Sequence, residues 1–264
     1  MNNPLSFSSL KLDLFAKDGT PLKQASGFVV EARNRYYLIT NRHLLSEAEF
    51  SARDVEEPVA QPHLLKTTIH IHGGEGETSF PLSWAARKRM TFQLYDEDGT
   101  PKWKGRQTNK PVDVVALRIQ WNLTLETFLR NVSEPNLKGD YWSRISAIPL
   151  SAIDTDVEYG PPDTVHIVGY PLGWPPTGNH KFNAAFWRTS SIASENNTMG
   201  TTQANAFFVD PRAPEGMTGS PVVGMKEDRL KLLGVYSDHS AKEFGVEAGL
   251  VWDACLIKEF IDSS

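Results

Sequence analysis

Three polar residues of this chain stand in settings where their side chains can take part in acyl-transfer chemistry. His43 ends the β-rich segment YYLITNRHLL, Asp113 opens the apolar segment DVVALRI, and Thr218 lies between glycines in PEGMTGSPVVG. Acyl transfer by an uncharged side chain needs a hydroxyl or thiol, a base that takes its proton, and a group that orients the base. In chain order, the three residues supply a base, an orienting carboxylate and a hydroxyl.

The turn that carries Thr218 has the glycine pattern of a sharply bent backbone. Gly216 and Gly219 flank it, and glycine is usual where side chains would clash or where a ligand approaches the backbone. In such a bend the amide N–H groups of Gly216 and Thr218 can converge on one point, which would stabilise a developing oxyanion. Ser220 is the other hydroxyl of the turn, but it leads into an apolar segment and is expected to pack or hydrogen-bond there.

Each of these signals is weak when it is taken alone. A histidine at the end of a strand is more often solvated or hydrogen-bonded than a base. Asp113 alone could be a solubility device at a strand edge, and the two glycines alone could form a tight hairpin corner. The chemical interpretation depends on the order and the context of all three segments together.

Metal and cofactor sites are not predicted in the chain. His70 and His72 share one face of a predicted strand and are of a type that zinc binds, but no third ligand lies nearby. Two exposed or paired histidines are therefore the better interpretation. The expected chemistry needs neither a metal nor a cofactor.

Composition and charge place the chain among ordinary soluble proteins. Its 264 residues are 40% hydrophobic and 22% charged, and the formal net charge of −5 argues against a general nucleic-acid-binding protein. No apolar stretch has transmembrane length, and the N-terminal residues lack the pattern of a secretory signal. The single cysteine, Cys255, excludes an internal disulfide. We therefore predict a cytoplasmic protein that binds neither nucleic acid nor membranes.

Short strands dominate the pattern on both sides of a polar segment that contains proline and glycine. Apolar runs between turn signals predict hairpins at 27–45, 66–84 and 90–105, and a short helix is predicted at 123–132. The apolar spacing of 251–262 is typical of a closing helix. Many short strands in two blocks predict an all-β protein. The predicted parts are an N-terminal β-barrel at 1–120, a linker at 121–146, and a C-terminal β-barrel with the closing helix at 147–264.

Taken together, the motifs resemble those of the trypsin-like serine peptidases, which have the chymotrypsin fold. The resemblance is carried, from about Ser26 to the C-terminal helix, by ITNRHLL, VDVVALRI, VHIVGYPLG, FWRTSSIAS, FFVDPRAPEGMTGSPVVG and LLGVYS. Their chain order of histidine, aspartate and nucleophile is typical of that fold, and the bacterial disulfide-free branch is the most similar. The resemblance implies two antiparallel six-stranded β-barrels, a C-terminal helix, and an active site in the cleft between the barrels.

The resemblance also implies a role for each residue singled out above. His43 in TNRH would be the general base, Asp113 in DVVAL its orienting partner, and Thr218 the nucleophile. Gly216 would join Thr218 in the oxyanion hole. The implied activity is that of an endopeptidase that cleaves a polypeptide through an acyl-enzyme, and control by a regulatory protein partner stays open.

The sequence departs from the family pattern at the nucleophile, where threonine replaces the usual serine. The added methyl group stiffens χ1, and a misplacement of about 1 Å can lower a rate roughly a hundredfold. Three interpretations stay open: a slow threonine-dependent peptidase, an inactive pseudopeptidase that still binds peptides, and a nucleophile-substituted form of a serine enzyme. Met217, just before Thr218, cannot pair with an N-terminal ammonium, so activation by such a pair is not expected.

Five residues are predicted to contact the substrate, at positions that the resemblance assigns to the primary pocket and its strand. An arginine six residues before the nucleophile would favour an acidic substrate side chain by charge pairing, whereas a nearby aspartate would oppose this effect. The strand GVYSDHS would pair with an extended peptide through its backbone. The five residues are Arg212, Ala213, Ser237, Asp238 and His239.

Overall fold

The computed structural model of the chain describes ten segments, which contain fifteen β-strands and two α-helices. The described segments are residues 5–46, 60–75, 84–105, 112–120, 141–153, 159–174, 184–195, 206–226, 229–237 and 247–262. The helices are α1 (Leu5–Ser8) and α2 (Cys255–Asp262). Neither of these described helices has the length and apolar character needed to cross a membrane.

The first lobe is a half-barrel built from nine of the described strands. Its strands are β1 (Ser9–Phe15), β2 (Pro21–Ala32), β3 (Arg35–Thr40), β4 (Leu64–Glu75), β5 (Trp84–Gln93), β6 (Trp103–Lys104), β7 (Val115–Ile119), β8 (Tyr141–Ile145) and β9 (Ile148–Pro149). The main path runs β5–β4–β1–β2–β3–β7–β6, while β8 pairs with β4 and β9 pairs with β2. Every pairing is antiparallel except that of β2 with β9. The pairings among these described strands leave the sheet open.

The hairpin of β2 and β3 carries the chain to His43. Its apolar runs FVV and YYLI are rich in the β-branched and aromatic residues that favour strands. Arg33 and Asn34 form the two-residue connection, with positive φ values of 50° and 59°, as a tight hairpin turn requires. After β3, a short 3₁₀ turn at Arg42–Leu44 presents His43.

The second lobe is a closed barrel of six antiparallel strands. Its strands are β10 (Thr164–Gly169), β11 (Phe186–Ile192), β12 (Ala206–Asp210), β13 (Pro221–Lys226), β14 (Arg229–Ser237) and β15 (Gly249–Asp253). The ring runs β10–β11–β12–β15–β14–β13, and β13 pairs with β10 to close it. The glycine-containing turn lies between β12 and β13.

Three apolar clusters form the core, and one of them joins the two lobes. This shared cluster includes Phe28 and Val30 of β2, Val223 and Val235 of the second barrel, and Ile257 of α2. Burial of apolar area is the main stabilising contribution to folding. The shared cluster therefore fixes the orientation in which the lobes present their facing residues.

The predicted fold class is confirmed. The chain is all-β with a C-terminal helix that ends at Asp262, and it matches the two-barrel chymotrypsin-like architecture. The second lobe is a closed six-stranded barrel, whereas the described part of the first lobe is a half-barrel with extra short strands. The predicted linker is described only from residue 141, where Tyr141–Ile145 forms β8 against β4. The predicted helix at 123–132 lies outside the described residues, and the division into domains stays a prediction.

Candidate active site

His43 and Asp113 form a hydrogen-bonded pair. His43 Nδ1 lies 2.8 Å from Asp113 Oδ2, and the backbone N–H of His43 donates to Asp113 Oδ1 at 2.9 Å. One carboxylate therefore holds both the ring and the backbone of the histidine. The side chains of His43 and Asp113 are 14% and 1% exposed, so solvent reaches part of the imidazole but not the carboxylate.

The buried carboxylate of Asp113 receives a further donor from the second lobe. Ser237 Oγ donates to Asp113 Oδ2 at 3.0 Å, while Asn41 Nδ2 donates to the Asp113 backbone carbonyl at 2.7 Å. A buried carboxylate is costly unless it is hydrogen-bonded, and an ionised carboxylate can only accept. With Asp113 ionised and the imidazole neutral, His43 Nδ1 carries the proton and Nε2 keeps a lone pair. This is the tautomer that a general base requires.

In the turn at 214–220, four successive backbone carbonyls all accept hydrogen bonds. The carbonyls and their donors are Glu215 with Leu172 N (2.8 Å), Gly216 with Ser26 Oγ (2.9 Å), Met217 with Ser220 N (3.0 Å) and Thr218 with Ser26 N (2.9 Å). Buried backbone groups are nearly always paired in this way. As a result, the orientation of each peptide plane in the turn is fixed.

The amide N–H groups of the same turn are paired only in part. Those of Met217, Gly219 and Ser220 donate to backbone carbonyls, whereas within the described residues the amides of Glu215, Gly216 and Thr218 donate no hydrogen bond, and the last two are the pair predicted for the oxyanion. In a trans peptide the C=O and N–H groups point in opposite directions. The carbonyl preceding Gly216 is held by Leu172 N and the carbonyl preceding Thr218 by Ser220 N, so each amide points away from the partner of its own peptide unit. Two available N–H groups beside a hydroxyl are what an oxyanion site needs.

Gly216 and Gly219 are required by the geometry of the turn. Their φ values are 90° and 91°, a region that other residues rarely adopt. A Cβ at Gly216 would lie 2.6 Å from the backbone N of Leu172, and one at Gly219 would lie 2.0 Å from the carbonyl oxygen of Ser26. The turn thus packs against a second-lobe loop on one side and against β2 of the first lobe on the other.

A short hydrogen-bonded path connects the turn to the strand that leads to His43. The carbonyl of Thr218 accepts from Ser26 N, and the carbonyl of Ser26 accepts from Thr40 Oγ1 at 2.9 Å. Thr40 is the last residue of β3 and precedes His43 by three residues. Ser26 therefore joins the turn to the end of β3, the strand that leads to His43.

A second path connects the turn to Asp113. The N–H of Gly219 donates to the carbonyl of Tyr236 at 2.9 Å. The next residue, Ser237, donates its hydroxyl to Asp113. The turn is thus tied to the His43–Asp113 pair through both lobes.

Thr218 is more accessible than its neighbours in the turn. Met217 and Ser220 are fully buried, and Met217 belongs to the apolar cluster of the second barrel. Ser220 Oγ has no hydrogen-bond partner among the described residues, and a Cβ at Gly169 would lie only 1.8 Å from it. Thr218 is partly exposed. Of the two hydroxyls, that of Thr218 is the one on a residue that solvent reaches.

The predicted substrate-contact residues lie in different environments. Arg212 is exposed. Ala213 is buried, and its N–H donates to Tyr236 Oη at 2.9 Å. Ser237 is buried with its hydroxyl on Asp113, so its side chain supports the carboxylate. The two residues that lie outside the described segments are Asp238 and His239.

His70 is buried and does not belong to a metal site within the described residues. No group of three or more His, Cys, Asp or Glu side chains in the described segments could hold a metal ion. The His70 ring lies 5.2 Å from that of Phe7. Burial, and secondarily the charge of Arg87, lower the pKa of His70 to about 4, so this imidazole is neutral at pH 7.

A cavity of about 360 Å³ is lined by first-lobe residues and by Tyr170 of the second lobe, and its lining does not include the His43–Asp113 pair or the turn. It is lined by cationic side chains and one carboxylate together with threonine hydroxyls and Tyr170. The charged residues of its lining are Lys11, Asp13, Lys66 and Arg89. This cavity is thus separate from the candidate active site.

Two buried polar residues that support the site, Ser26 and Asn41, were not predicted from the sequence. Ser26 and Asn41 are fully buried, Ser26 next to the apolar run GFVV and Asn41 just after the β-rich run YYLIT. A polar residue beside such a run signals a hydrogen-bond partner elsewhere in the fold. That signal could have drawn attention to both residues, but it does not identify the partner.

The chain is similar in structure to two crystal structures of Rv3671c from M. tuberculosis. One is an inactive form from strain H37Rv, with a TM-score of 0.46 and 13% identity over 98% of this chain and 87% of that chain. The other is the active form of the Rv3671c protease, with a TM-score of 0.48 and 15% identity over 98% of this chain and 81% of that chain.

No protein-family model matches the chain, and no curated protein matches it either. Because both identities to the solved structures are low and both TM-scores are below 0.5, the chemistry of the site rests on the contacts of this chain's own residues.

Proposed function

We propose that the protein is a trypsin-like endopeptidase that cleaves peptide bonds through an acyl-enzyme, with Thr218 in place of the usual serine. The observation that carries the proposal is the pattern of the turn, in which the carbonyls are bonded while the Gly216 and Thr218 amides have no partner among the described residues. Such a turn leaves two donors available for an oxyanion. The hydrogen-bonded His43–Asp113 pair supplies the base.

Acylation begins when Thr218 Oγ1 attacks the carbonyl carbon of the scissile peptide bond and transfers its proton to His43 Nε2. The carbonyl oxygen becomes an oxyanion, which the N–H groups of Gly216 and Thr218 stabilise. Asp113 stabilises the imidazolium through its bond to Nδ1. Collapse of the tetrahedral intermediate breaks the C–N bond, and His43 returns the proton to the leaving amine.

Deacylation repeats these steps with water as the nucleophile. His43 removes a proton from water, and the hydroxide attacks the ester carbonyl. The second tetrahedral intermediate collapses with release of the carboxylic acid product, and His43 returns the proton to Thr218 Oγ1. No metal or cofactor enters this sequence.

The alternative is a pseudopeptidase, or a nucleophile-substituted form of a serine enzyme, that binds extended peptides without turnover. It is favoured by the threonine itself, because a β-branched side chain has restricted χ1 rotamers. Threonine nucleophiles elsewhere typically use their own terminal amine as the base, and Thr218 lies inside the chain. A hydroxyl held in the wrong rotamer would leave the binding surface intact and the chemistry blocked.

The same residues and the composition also support proposals for the substrate and the cellular location. A polypeptide is the substrate, and the exposed Arg212 favours acidic side chains near the cleaved bond. The lone Cys255 is compatible with a reducing compartment, so we propose a cytoplasmic location. Control by a regulatory protein partner is part of the same proposal.

The first prediction is that Thr218→Ser raises activity. The change removes one methyl group and frees χ1, so the hydroxyl can align with His43 Nε2. We expect labelling by a fluorophosphonate probe and peptide hydrolysis to increase by roughly tenfold or more, in line with the rate effects of about 1 Å displacements. Labelling is measured by gel fluorescence and by mass spectrometry of the modified peptide.

Two further variants decide between the alternatives. His43→Ala in the Thr218→Ser protein should abolish the gain, because triad members act as a unit, and Ser220→Ala should leave labelling intact. If Thr218→Ser stays inert toward probe and peptides while extended peptides still bind, the pseudopeptidase is correct. Loss of activity in Ser220→Ala alone would mean that the wrong hydroxyl was assigned.

A further inference from the structure

We infer that Ser26, a residue of the first lobe, is a positioning residue for the oxyanion-binding turn of the second lobe. The inference rests on the proposed function and adds a residue to it. Ser26 touches neither the reacting atoms nor the substrate in this scheme. It acts by holding the peptide planes on which the Gly216 and Thr218 amides are carried.

The N–H, the hydroxyl and the carbonyl of Ser26 are all hydrogen-bonded at this junction. Its N–H donates to the carbonyl of Thr218, and its hydroxyl donates to the carbonyl of Gly216 at 2.9 Å. The same hydroxyl accepts from the N–H of Tyr170 at 2.9 Å, and its carbonyl accepts from Thr40 Oγ1. The residue is fully buried, so water cannot replace these partners without a rearrangement.

The hydroxyl of Ser26 holds the central peptide plane of the turn. Within the described residues it is the donor to the carbonyl of Gly216. The plane between Gly216 and Met217 lies between the two planes whose N–H groups face the oxyanion, and it shares a Cα atom with each. Glycine has wide backbone freedom. Without this bond the φ and ψ angles of Gly216 can change, and its amide N–H then no longer points at the proposed oxyanion position.

Ser26 also links the turn to the strand that leads to the base. Its carbonyl bonds to Thr40, the last residue of β3, and His43 follows three residues later. Ser26 belongs to β2, which pairs with β3. A displacement of one lobe relative to the other would therefore move the turn and the end of β3 through their shared bonds to Ser26.

If the role of Ser26 were purely structural, replacing it would have the same effect as replacing any other buried, hydrogen-bonded serine. Ser9 provides the matched comparison, because it is also a fully buried first-lobe serine whose hydroxyl crosses to the second lobe. Its Oγ donates to the carbonyl of Val168 at 2.8 Å. Within the described residues Ser9 makes no hydrogen bond with the turn at 214–220, so Ser9→Ala removes a lobe-bridging hydroxyl without touching the oxyanion amides.

The test compares Ser26→Ala with Ser9→Ala in the full chain carrying Thr218→Ser. We expect Ser26→Ala to lower kcat by about tenfold to a hundredfold with KM changed by less than about threefold, since loss of one oxyanion donor costs about a hundredfold or more. Ser9→Ala should keep kcat within about twofold. Both variants are expected to lose a similar amount of thermal stability, so stability alone cannot explain the difference.

Inhibition by a peptide boronic acid gives a second readout. Its tetrahedral adduct uses the oxyanion amides, so Ser26→Ala should weaken inhibition by about tenfold while the affinity for the product peptide is unchanged. Equal kcat and equal inhibition in Ser26→Ala and Ser9→Ala would overturn the inference. If the alanine variant does not fold, Ser26→Cys, which is close in size but a weaker donor, is compared with Ser9→Cys.

The outcome for Ser26 can be separated from that of the proposed function. If Thr218→Ser is inert, the proposed peptidase activity fails, and the backbone amide resonances of Gly216 and Thr218 still report on the turn. These resonances should shift in Ser26→Ala and stay in place in Ser9→Ala. If Thr218→Ser is active and Ser26→Ala changes neither kcat nor these resonances, only the role of Ser26 is wrong.

Discussion

At the scale of single residues, the contact between the turn and β2 requires a glycine at position 219, because any side chain there would clash with β2. A Cβ at this position would lie 2.0 Å from the carbonyl oxygen of Ser26 and 2.5 Å from Thr40 Oγ1. Carbon atoms do not approach backbone oxygens this closely, so any side chain would separate the turn from β2. The missing Cβ is what allows the second-lobe turn to bond with the first lobe.

We predict that Gly219→Ala disrupts the site. Its φ of 91° adds strain on the order of 1–2 kcal/mol to the clash. In the Thr218→Ser protein, probe labelling should fall by more than about tenfold and the melting temperature should drop, as measured by gel fluorescence and differential scanning fluorimetry. Gly19→Ala is the control, because Gly19 has a φ of 87° and open space around it. A variant at Gly219 as mild as that control would contradict the geometry described above.

At the scale of secondary structure elements, α2 supports the strand that presents Asp113. Ile257 of α2 is fully buried in the same cluster as Val112 and Val114, the two residues that flank Asp113. The next residue, Lys258, is exposed. The helix thus lies with one face on the shared core and the other in solvent, which explains its amphipathic sequence.

We predict that Ile257→Ala lowers the free energy of unfolding by about 2–5 kcal/mol, the range for truncating a buried isoleucine. Urea denaturation followed by tryptophan fluorescence measures the loss. Lys258→Ala in the same helix turn should change the value by less than about 0.5 kcal/mol. A loss at Ile257 no larger than that at Lys258 would mean that α2 does not contribute to the shared core.

At the scale of the whole molecule, the proposed active site belongs to neither lobe alone. His43 and Asp113 come from the first lobe, while Ser237 and the turn come from the second. The lobes also meet elsewhere: His70 of β4 lies beside Phe7 and shares the lining of a cavity with Tyr170 of the second lobe. The docking of the lobes is therefore expected to depend on pH.

The stability of the molecule should fall in mild acid because of His70. Burial, helped by the charge of Arg87, lowers its pKa from 6.5 to about 4 in the folded protein. Between these values the unfolded chain binds more protons, so stability is full above about pH 6.5 and is lost as the pH falls toward 4. A shift of this size corresponds to roughly 3 kcal/mol.

Urea unfolding at pH 4.5 and pH 7 measures this effect. His70→Gln should remove most of the difference in unfolding free energy between the two pH values. His166→Gln, a change in a second-lobe histidine that bonds to Thr189, should leave the difference in place. An unchanged pH dependence in His70→Gln would show that other groups cause the acid sensitivity.

The sequence by itself determined the features that depend on neighbouring residues. Strand propensity and turn signals predicted the hairpin that ends at His43, and helical spacing predicted the helix that ends at Asp262. The glycines around Thr218 predicted a bent backbone, and both have the positive φ values that such a bend needs. Preferences of this kind act within a few residues, so they can be inferred from local patterns.

Only the tertiary structure decided which distant groups meet. The hydrogen bonds of Ser26 to Gly216 and of Ser237 to Asp113 join residues 190 and 124 positions apart in the chain. Nothing in the local pattern of either serine specifies a partner, because a buried hydroxyl only requires some acceptor. The packing of the two lobes supplies that acceptor. The bonds from Leu172 and Ser26 to the carbonyls of the turn likewise join residues far apart in the chain, and no local preference specifies them.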